Sequence, residues 1–370
     1  MKRTYLIGIS LILLVLSFSS CNNTVALSPP PSLISYYAYV TNYEDFTISA
    51  YKINASSGAL TQIAGSPFAA GSAPYSITVN PTGTFLYGAN FRNVSAYTIT
   101  ALSGALTQIS GSPFTAGSFP CSVTVDPTGK FLYVANRGSN NVSVYTIDAS
   151  NGALTQIVDS PIATGTGPDS MTVDPTGKFL YVANWNSLNV SAYTIDASTG
   201  ALTQIAGSPF ATGTNSNSNS ITVDPTGKFL YMDNCYGVSA YKIDASTGVL
   251  TEIAGSPFAA GSGPYSVTVD PAGKFLYVAN HDSNDVSAYT IDASTGALTQ
   301  LVNSPFAAGS SPFSVTVDPT GKFLYAVNSG SNNVSAYTID ASTGALTQIA
   351  GSPFAAGSDS YFVITTKVMH

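Results

Sequence analysis

Asp126-Pro-Thr-Gly-Lys-Phe-Leu-Tyr133 decides the fold, because the chain writes it repeatedly. The same eight residues begin again at Asp174, Asp224 and Asp318, with variants at Asn80 and Asp270. Successive starts lie 46, 48, 50, 46 and 48 residues apart. A period of that size marks stacked or circular supersecondary units rather than an ordinary globular domain.

Working outward through the copy from Pro120 to Gly165, Ser122-Val-Thr-Val alternates polar and apolar and predicts a strand. Asp126-Pro-Thr-Gly129 ends it with the residues that a type I turn favours. Lys130–Asn136 is a second strand rich in aromatic and β-branched residues, Arg137–Asn141 a loop, and Val142–Ile147 a third strand. Asp148–Gly152 turns the chain back into a fourth strand, Ala153–Ile157, before Ser160–Gly165 leads to the next copy. The second strand recurs at Tyr37-Ala-Tyr39, Phe85, Phe131, Phe179, Phe229, Phe275 and Phe323, which makes seven copies. The first copy lacks its first strand, and Tyr361-Phe-Val-Ile-Thr-Thr366 is a first strand with no successor. The expected fold is therefore all-β: a seven-bladed propeller of four-stranded antiparallel blades over residues 36–366, closed by the C-terminal strand, with a tail at 367–370.

Charged residues make up 8% of the 370 residues, against roughly 25% in ordinary domains, so Ser, Thr, Asn and backbone must solvate the surface. A net charge of −7 without a basic stripe excludes nucleic acid as a partner. Residues 1–21 read as an export signal: Lys2 and Arg3, then the apolar run Leu6–Phe18, too short to span a bilayer. The run ends in Phe18-Ser19-Ser20-Cys21, which resembles the lipobox of bacterial lipoproteins, although Phe18 stands where Leu is usual. That resemblance implies a lipidated Cys21 and a protein anchored in the bacterial cell envelope, at the outer membrane or cell surface. Residues 22–35, Asn- and Ser-rich with Pro29-Pro30-Pro31, are expected to be a tether. Cys121 and Cys235 have no metal-ligand spacing and read as isolated thiols. No metal or other cofactor is called for, and a monomer is expected.

Phe131-Leu-Tyr-Val-Ala-Asn136 and its copies resemble the YVTN-type repeats of the lactonase-like seven-bladed propeller family. That family includes 6-phosphogluconolactonases, carboxymuconate-lactonising enzymes and many exported proteins without an assigned activity. The resemblance implies a cluster of Arg, His and carboxylate at the channel mouth that acts on lactones. Here Arg92, Arg137, His281, Asp169 and Asp282 are the residues available for those roles.

Similar copies permit an internal comparison. The Asp-Pro-Thr-Gly and Asp-Ala-Ser-Thr-Gly turns share one face and hardly vary, whereas the loops between second and third strands differ in every copy. Beyond the export signal the chain has two Arg, one Trp and two His, and Arg92, Arg137, Trp185 and His281 all fall in those variable loops. The expectation is a non-catalytic binding face for a protein or glycan. Tyr43, Phe91, Trp185 and Tyr236 would serve as aromatic anchors, and Arg92, Arg137, Glu44, Asp45 and His281 as polar contacts. A lactonase-like enzyme at the same mouth is the alternative, and a structural envelope protein the third reading. The recurring Asn-Val-Ser triplets are expected to open third strands rather than carry glycans. The Asp of each Asp-Pro-Thr-Gly should cap its turn, and the Phe of each Ser-Pro-Phe should pack between blades. Palmitate labelling is predicted for the wild type and lost in Cys21→Ser; label that persists in the variant would refute the anchor.

Overall fold

The apolar–polar alternation of each copy becomes four antiparallel strands, as in Pro120–Val125, Phe131–Asn136, Asn141–Ile147 and Leu154–Gln156. The computed structural model describes residues 34–213 and 218–370, and seven such sheets with no helix account for the described residues. Blades are numbered 1 to 7 in chain order from Ile34. The expected export signal, Cys21 and the tether as far as residue 33 lie outside the described residues. The tether does not reach residue 35, because Ile34 and Ser35 already belong to the strand Ile34–Asn42.

Ring closure follows the sequence reading. Ser360–Met369 lies antiparallel to Ile34–Asn42, with Ile34 opposite Met369 and Tyr39 opposite Ile364, and forms the innermost strand of blade 1. Residues from 367 onward, expected as a tail, are thus strand through Met369. The closing strand touches the inner strands of both blade 7 and blade 2, so the ring has no gap.

The core sits between blades. Both faces of the second strand are buried along its whole length, as in Phe131–Asn136. Seven apolar clusters result, each drawn from two neighbouring blades. Between blades 3 and 4, for example, Phe131, Tyr133 and Val144 meet Met171, Leu180 and Tyr193. The Ser-Pro-Phe rings pack at the margins of these clusters, and Ile162 takes the same place where Phe is missing.

Hydrogen bonds lock adjacent blades in register. The Tyr133 hydroxyl donates to the Gly200 carbonyl of the next blade at 3.2 Å. The same bond recurs around the ring, from Tyr39 to Gly104 and finally from Tyr325 to Gly58 across the closure. Gly200 has φ +75°, and a Cβ there would stand 2.4 Å from the Phe131 ring, so neither its conformation nor its surroundings admit a side chain.

The outer strand is interrupted. After Leu60–Gln62 the chain leaves the sheet and rejoins it at Phe68–Ala69, both pieces pairing with the third strand Thr47–Ile53. A cis Ser-Pro bond occupies this excursion in all seven blades. The Ser66 hydroxyl accepts the Ala50 N–H at 2.9 Å, and Ser160 does the same for Val144, satisfying a donor that the break would orphan. The other motifs are structural as expected. Asn136 Nδ2 donates to Asn141 Oδ1 at 2.8 Å and to Ser143 Oγ at 2.9 Å, which fixes the start of the third strand. Asp126 accepts from the Lys130 and Phe131 N–H groups and from the Thr128 hydroxyl.

Gly200→Ala is predicted to destabilise by about 2–4 kcal/mol, combining left-handed strain with overpacking against Phe131. Tyr133→Phe, which removes one buried bond, should lose about 1 kcal/mol. Urea denaturation checks both, and an unchanged midpoint for Gly200→Ala would contradict the interface described.

Candidate active site at the loop end of the channel

Two sets of side chains converge where second strands end and inner strands begin. The first set follows the buried Asn that closes each second strand: Tyr43, Phe91, Arg137, Trp185, Cys235, His281 and Ser329. Six of these seven backbones are pinned to the lead-in of the inner strand, as Arg137 N–H to Phe119 O at 2.9 Å, Trp185 to Gly167 at 2.8 Å and His281 to Gly263 at 2.7 Å. The scaffold thus delivers a different side chain to an equivalent place in each blade. The second set arises from a β-bulge. Pairing slips between Pro168 and Ser170, between Pro264 and Ser266 and between Pro312 and Ser314, so the residue between is re-aimed. Asp169, Tyr265 and Phe313 occupy those positions and, with Tyr75, Cys121, Asn219 and Tyr361, surround the mouth of the channel.

The mouth is divided by chemistry. On one side Tyr43 stacks on Tyr361 at 4.6 Å, Tyr361 on Phe313 at 4.3 Å, and Phe313 meets Tyr265 at 4.1 Å. Tyr75 closes edge-on against Phe313 and Tyr361. These rings cover a channel lined by the Ser and Thr side chains of the inner strands. On the other side four consecutive blades build a cleft of about 470 Å³ from Arg137, Trp185, Asn219, Cys235, Tyr265, His281 and Asp282, with Gly263 and Pro264. Its volume lies in the ordinary range for small-molecule sites.

Within the cleft the Arg137 guanidinium stands 5.0 Å over the Trp185 ring and 3.1 Å from Asp169 Oδ1. The Asp169 side chain is 2% exposed and that of Arg137 28%, so Asp169 anchors from behind while Arg137 faces the opening. The contact is not aligned as a hydrogen bond, and burial outweighs the neighbouring positive charge, which pushes the Asp169 carboxyl up to about 6. Burial likewise pushes up the thiol of Cys121, which donates to Pro168 O at 3.1 Å and is not linked to the exposed Cys235. His281 Nδ1 lies 2.8 Å from Asp282 Oδ1, and its ring is 5.7 Å from that of Tyr265.

Blade 5 departs from the others in a paired way. Ser218 replaces the proline of the lead-in, and Asp233 stands where Ala135, Ala183 and Ala279 stand elsewhere. The fully buried Asp233 accepts the Ser218 hydroxyl at 2.8 Å and the Asn219 and Ser220 N–H groups at 2.9 and 2.8 Å. It thereby holds Asn219 in the wall of the cleft. Desolvation exceeds these bonds and pushes its carboxyl up to about 7.

The sequence-selected residues separate. Arg137, Trp185, His281 and Asp282 line the cleft, with Asp169 behind it. Arg92 lies 5.6 Å over the ring of its neighbour Phe91, and Asp45 spends its carboxylate on the Ser358 N–H at 2.7 Å. Tyr43 is half-buried in the aromatic stack, Glu44 is exposed, and Tyr236 is 65% exposed beside the cleft wall. Of the nine residues expected to bind a partner, Arg137, Trp185 and His281 line the cleft and the other six stand outside its lining. Tyr75, Asn219, Asp233, Tyr265, Phe313 and Tyr361 were missed. Aligning the copies at Pro-x-Ser would have exposed most of them, because x varies while its neighbours hold.

Lysine is confined to one end of the described chain. Five lysines follow the tight turns, and Lys52, Lys242 and Lys367 pair near the same end, so every lysine of the described chain lies opposite the mouth.

Because both raised carboxyls hold protons more tightly folded than unfolded, their contribution to stability is fully present below the unfolded value near 3.9 and is lost as pH rises. The loss runs through about 6 for Asp169 and about 7 for Asp233. Denaturation midpoints measured from acid to neutral pH should show a decline in this window, on the order of a few kcal/mol, that flattens in Asp233→Asn. An unchanged pH profile in the variant would exclude the raised value.

Comparison with known proteins agrees with this architecture. No curated protein matches the chain. A solved structure of a candidate 6-phosphogluconolactonase from Bacteroides fragilis superposes with TM-score 0.79 at 22% identity, covering 90% of this chain and 98% of that one. A similar candidate from Bacteroides uniformis gives 0.77 at 20% identity, covering 90% and 99%. The periplasmic gluconolactonase of Pseudomonas aeruginosa gives 0.74 at 19% identity, again covering 90% and 99%. At these identities the likeness is one of fold. The sequence profile of the "Lactonase, 7-bladed beta-propeller" family matches residues 93–214, 205–316 and 306–363, and the chain belongs to that family.

Proposed function

We propose that this protein hydrolyses lactones in the cleft formed by blades 3 to 6. One observation carries the reading: in a propeller of the lactonase family, Arg137 and the His281–Asp282 pair open onto the same cleft. Family membership supports hydrolysis better than the expected non-catalytic binder of a protein or glycan.

Arg137 keeps N–H donors besides the Nη1 that lies 3.1 Å from Asp169, and they suit a carbonyl oxygen that gains negative charge. Asp169 and Trp185 act as positioning residues that fix the guanidinium plane. With Nδ1–H donated to Asp282, His281 has Nε2 left to accept a proton. Water then adds to the lactone carbonyl carbon while its proton passes to Nε2. The acyl carbon–ring oxygen bond breaks, and the same proton returns to the departing oxygen, leaving a hydroxy acid. No cofactor enters these steps. In this reading the enzyme is exported and held at the envelope by lipid on Cys21.

Titrating the acid released from an aldonolactone near neutral pH tests the proposal. His281→Gln is expected to lower kcat by about 10²–10³-fold with an unchanged melting temperature. Arg137→Lys keeps the charge beside Asp169 but loses the planar fork, and should lower kcat/KM by at least about tenfold. A wild-type rate equal to the uncatalysed one, or full activity in His281→Gln, would refute it.

A further inference from the structure

Resting on the hydrolase reading, we infer that the cleft selects an uncharged, polyhydroxylated lactone and discriminates against its phosphorylated counterpart. Charge carries the argument. The cleft contains one cation, Arg137, which is already shared between Asp169 at 3.1 Å and the Trp185 ring at 5.0 Å. Three carboxyls stand around it: Asp282 in the lining, Asp169 buried behind Arg137, and Asp285 outside the lining, where it accepts from Asn280 Nδ2 at 2.6 Å. The second guanidinium of this face, Arg92, lies over Phe91 and outside the cleft. Every lysine of the described chain is at the other end of the propeller.

A phosphoryl group brings a charge of about −1.5 to −2 at neutral pH. Sites that hold one supply paired guanidinium groups, a lysine or a helix N-terminus, and no helix exists among the described residues. In a cleft whose single guanidinium is already paired with Asp169 from behind and whose lining adds the Asp282 carboxylate, that charge meets repulsion and an unrepaid desolvation cost. A sugar-like ring fits the remaining chemistry. Trp185 and Tyr265 offer aromatic surface to its C–H face, while Asn219 and Asp282 offer hydrogen-bond partners to its hydroxyls.

The experiment compares glucono-δ-lactone with its 6-phosphate under identical conditions. A kcat/KM at least about tenfold larger for the uncharged lactone is expected. An equal or larger value for the phosphate ester overturns the inference while leaving the hydrolase reading intact. Cys235→Lys places a cation in the cleft wall at a residue outside the proposed chemistry, and should shrink the ratio about tenfold. An unchanged ratio overturns the electrostatic cause. If neither lactone is opened, the hydrolase reading fails on its own, and selection is read instead from Trp185, the only tryptophan of the chain. Quenching of its fluorescence by glucose with a Kd at least about tenfold below that of glucose 6-phosphate upholds the selection. The reverse order, a smaller difference or no quenching by either sugar overturns it.

Discussion

One phenol reaching into the next blade holds the propeller together. Tyr133 can donate to Gly200 O because Gly200 adopts a left-handed conformation and carries no side chain that would strike Phe131. Phe-Leu-Tyr and Ala-Ser-Thr-Gly therefore recur as a pair: they are the two halves of a single contact made between consecutive copies. A bond in the opposite direction strengthens six of the seven joints, as when Tyr193 donates to Ala163 O of the preceding blade at 2.6 Å. Burial pushes these phenols upward, Tyr133 well above its usual range, so they remain donors wherever the protein folds. A copy that drifts at either half would spoil the interface that half serves, and every copy supplies both halves, which explains the uniformity of the repeats.

Strand order, blade number and ring closure were legible because each depends on local rules. Turn residues at fixed offsets punctuate strands of period two, and a missing first strand at one end matches a surplus one at the other. The mouth was only partly legible. Loop variation pointed to Arg137, Trp185 and His281, which share a backbone position and meet in the cleft. It pointed equally to Arg92, Glu44 and Asp45, whose side chains have other surroundings, and sequence variation alone does not distinguish the two groups. The aromatic half escaped notice because a β-bulge, invisible in composition, turns Tyr265 and Phe313 toward the channel. Asp233 was harder still, a single substitution within an otherwise constant strand whose meaning appears only beside Ser218–Ser220.

The two carboxyls that burial pushes up lie in the inner part of blades 4 and 5, next to the cleft, and neither is fully compensated by its partners. Burying such groups opposes folding. Seven apolar interfaces supply the stability against which that opposition is tolerated, and these two departures from the repeat stand beside the site.

The closing strand has a consequence for biogenesis. Ser360–Met369 provides the inner edge of blade 1, so the first of the seven blades to be synthesised waits for a strand that follows the other six. Until then the backbone of Ile34–Asn42 has an unpaired edge, the kind of surface on which nascent chains associate wrongly. Blades 2 to 7 can assemble in the order of synthesis, but the circle becomes continuous only after translation has passed residue 369.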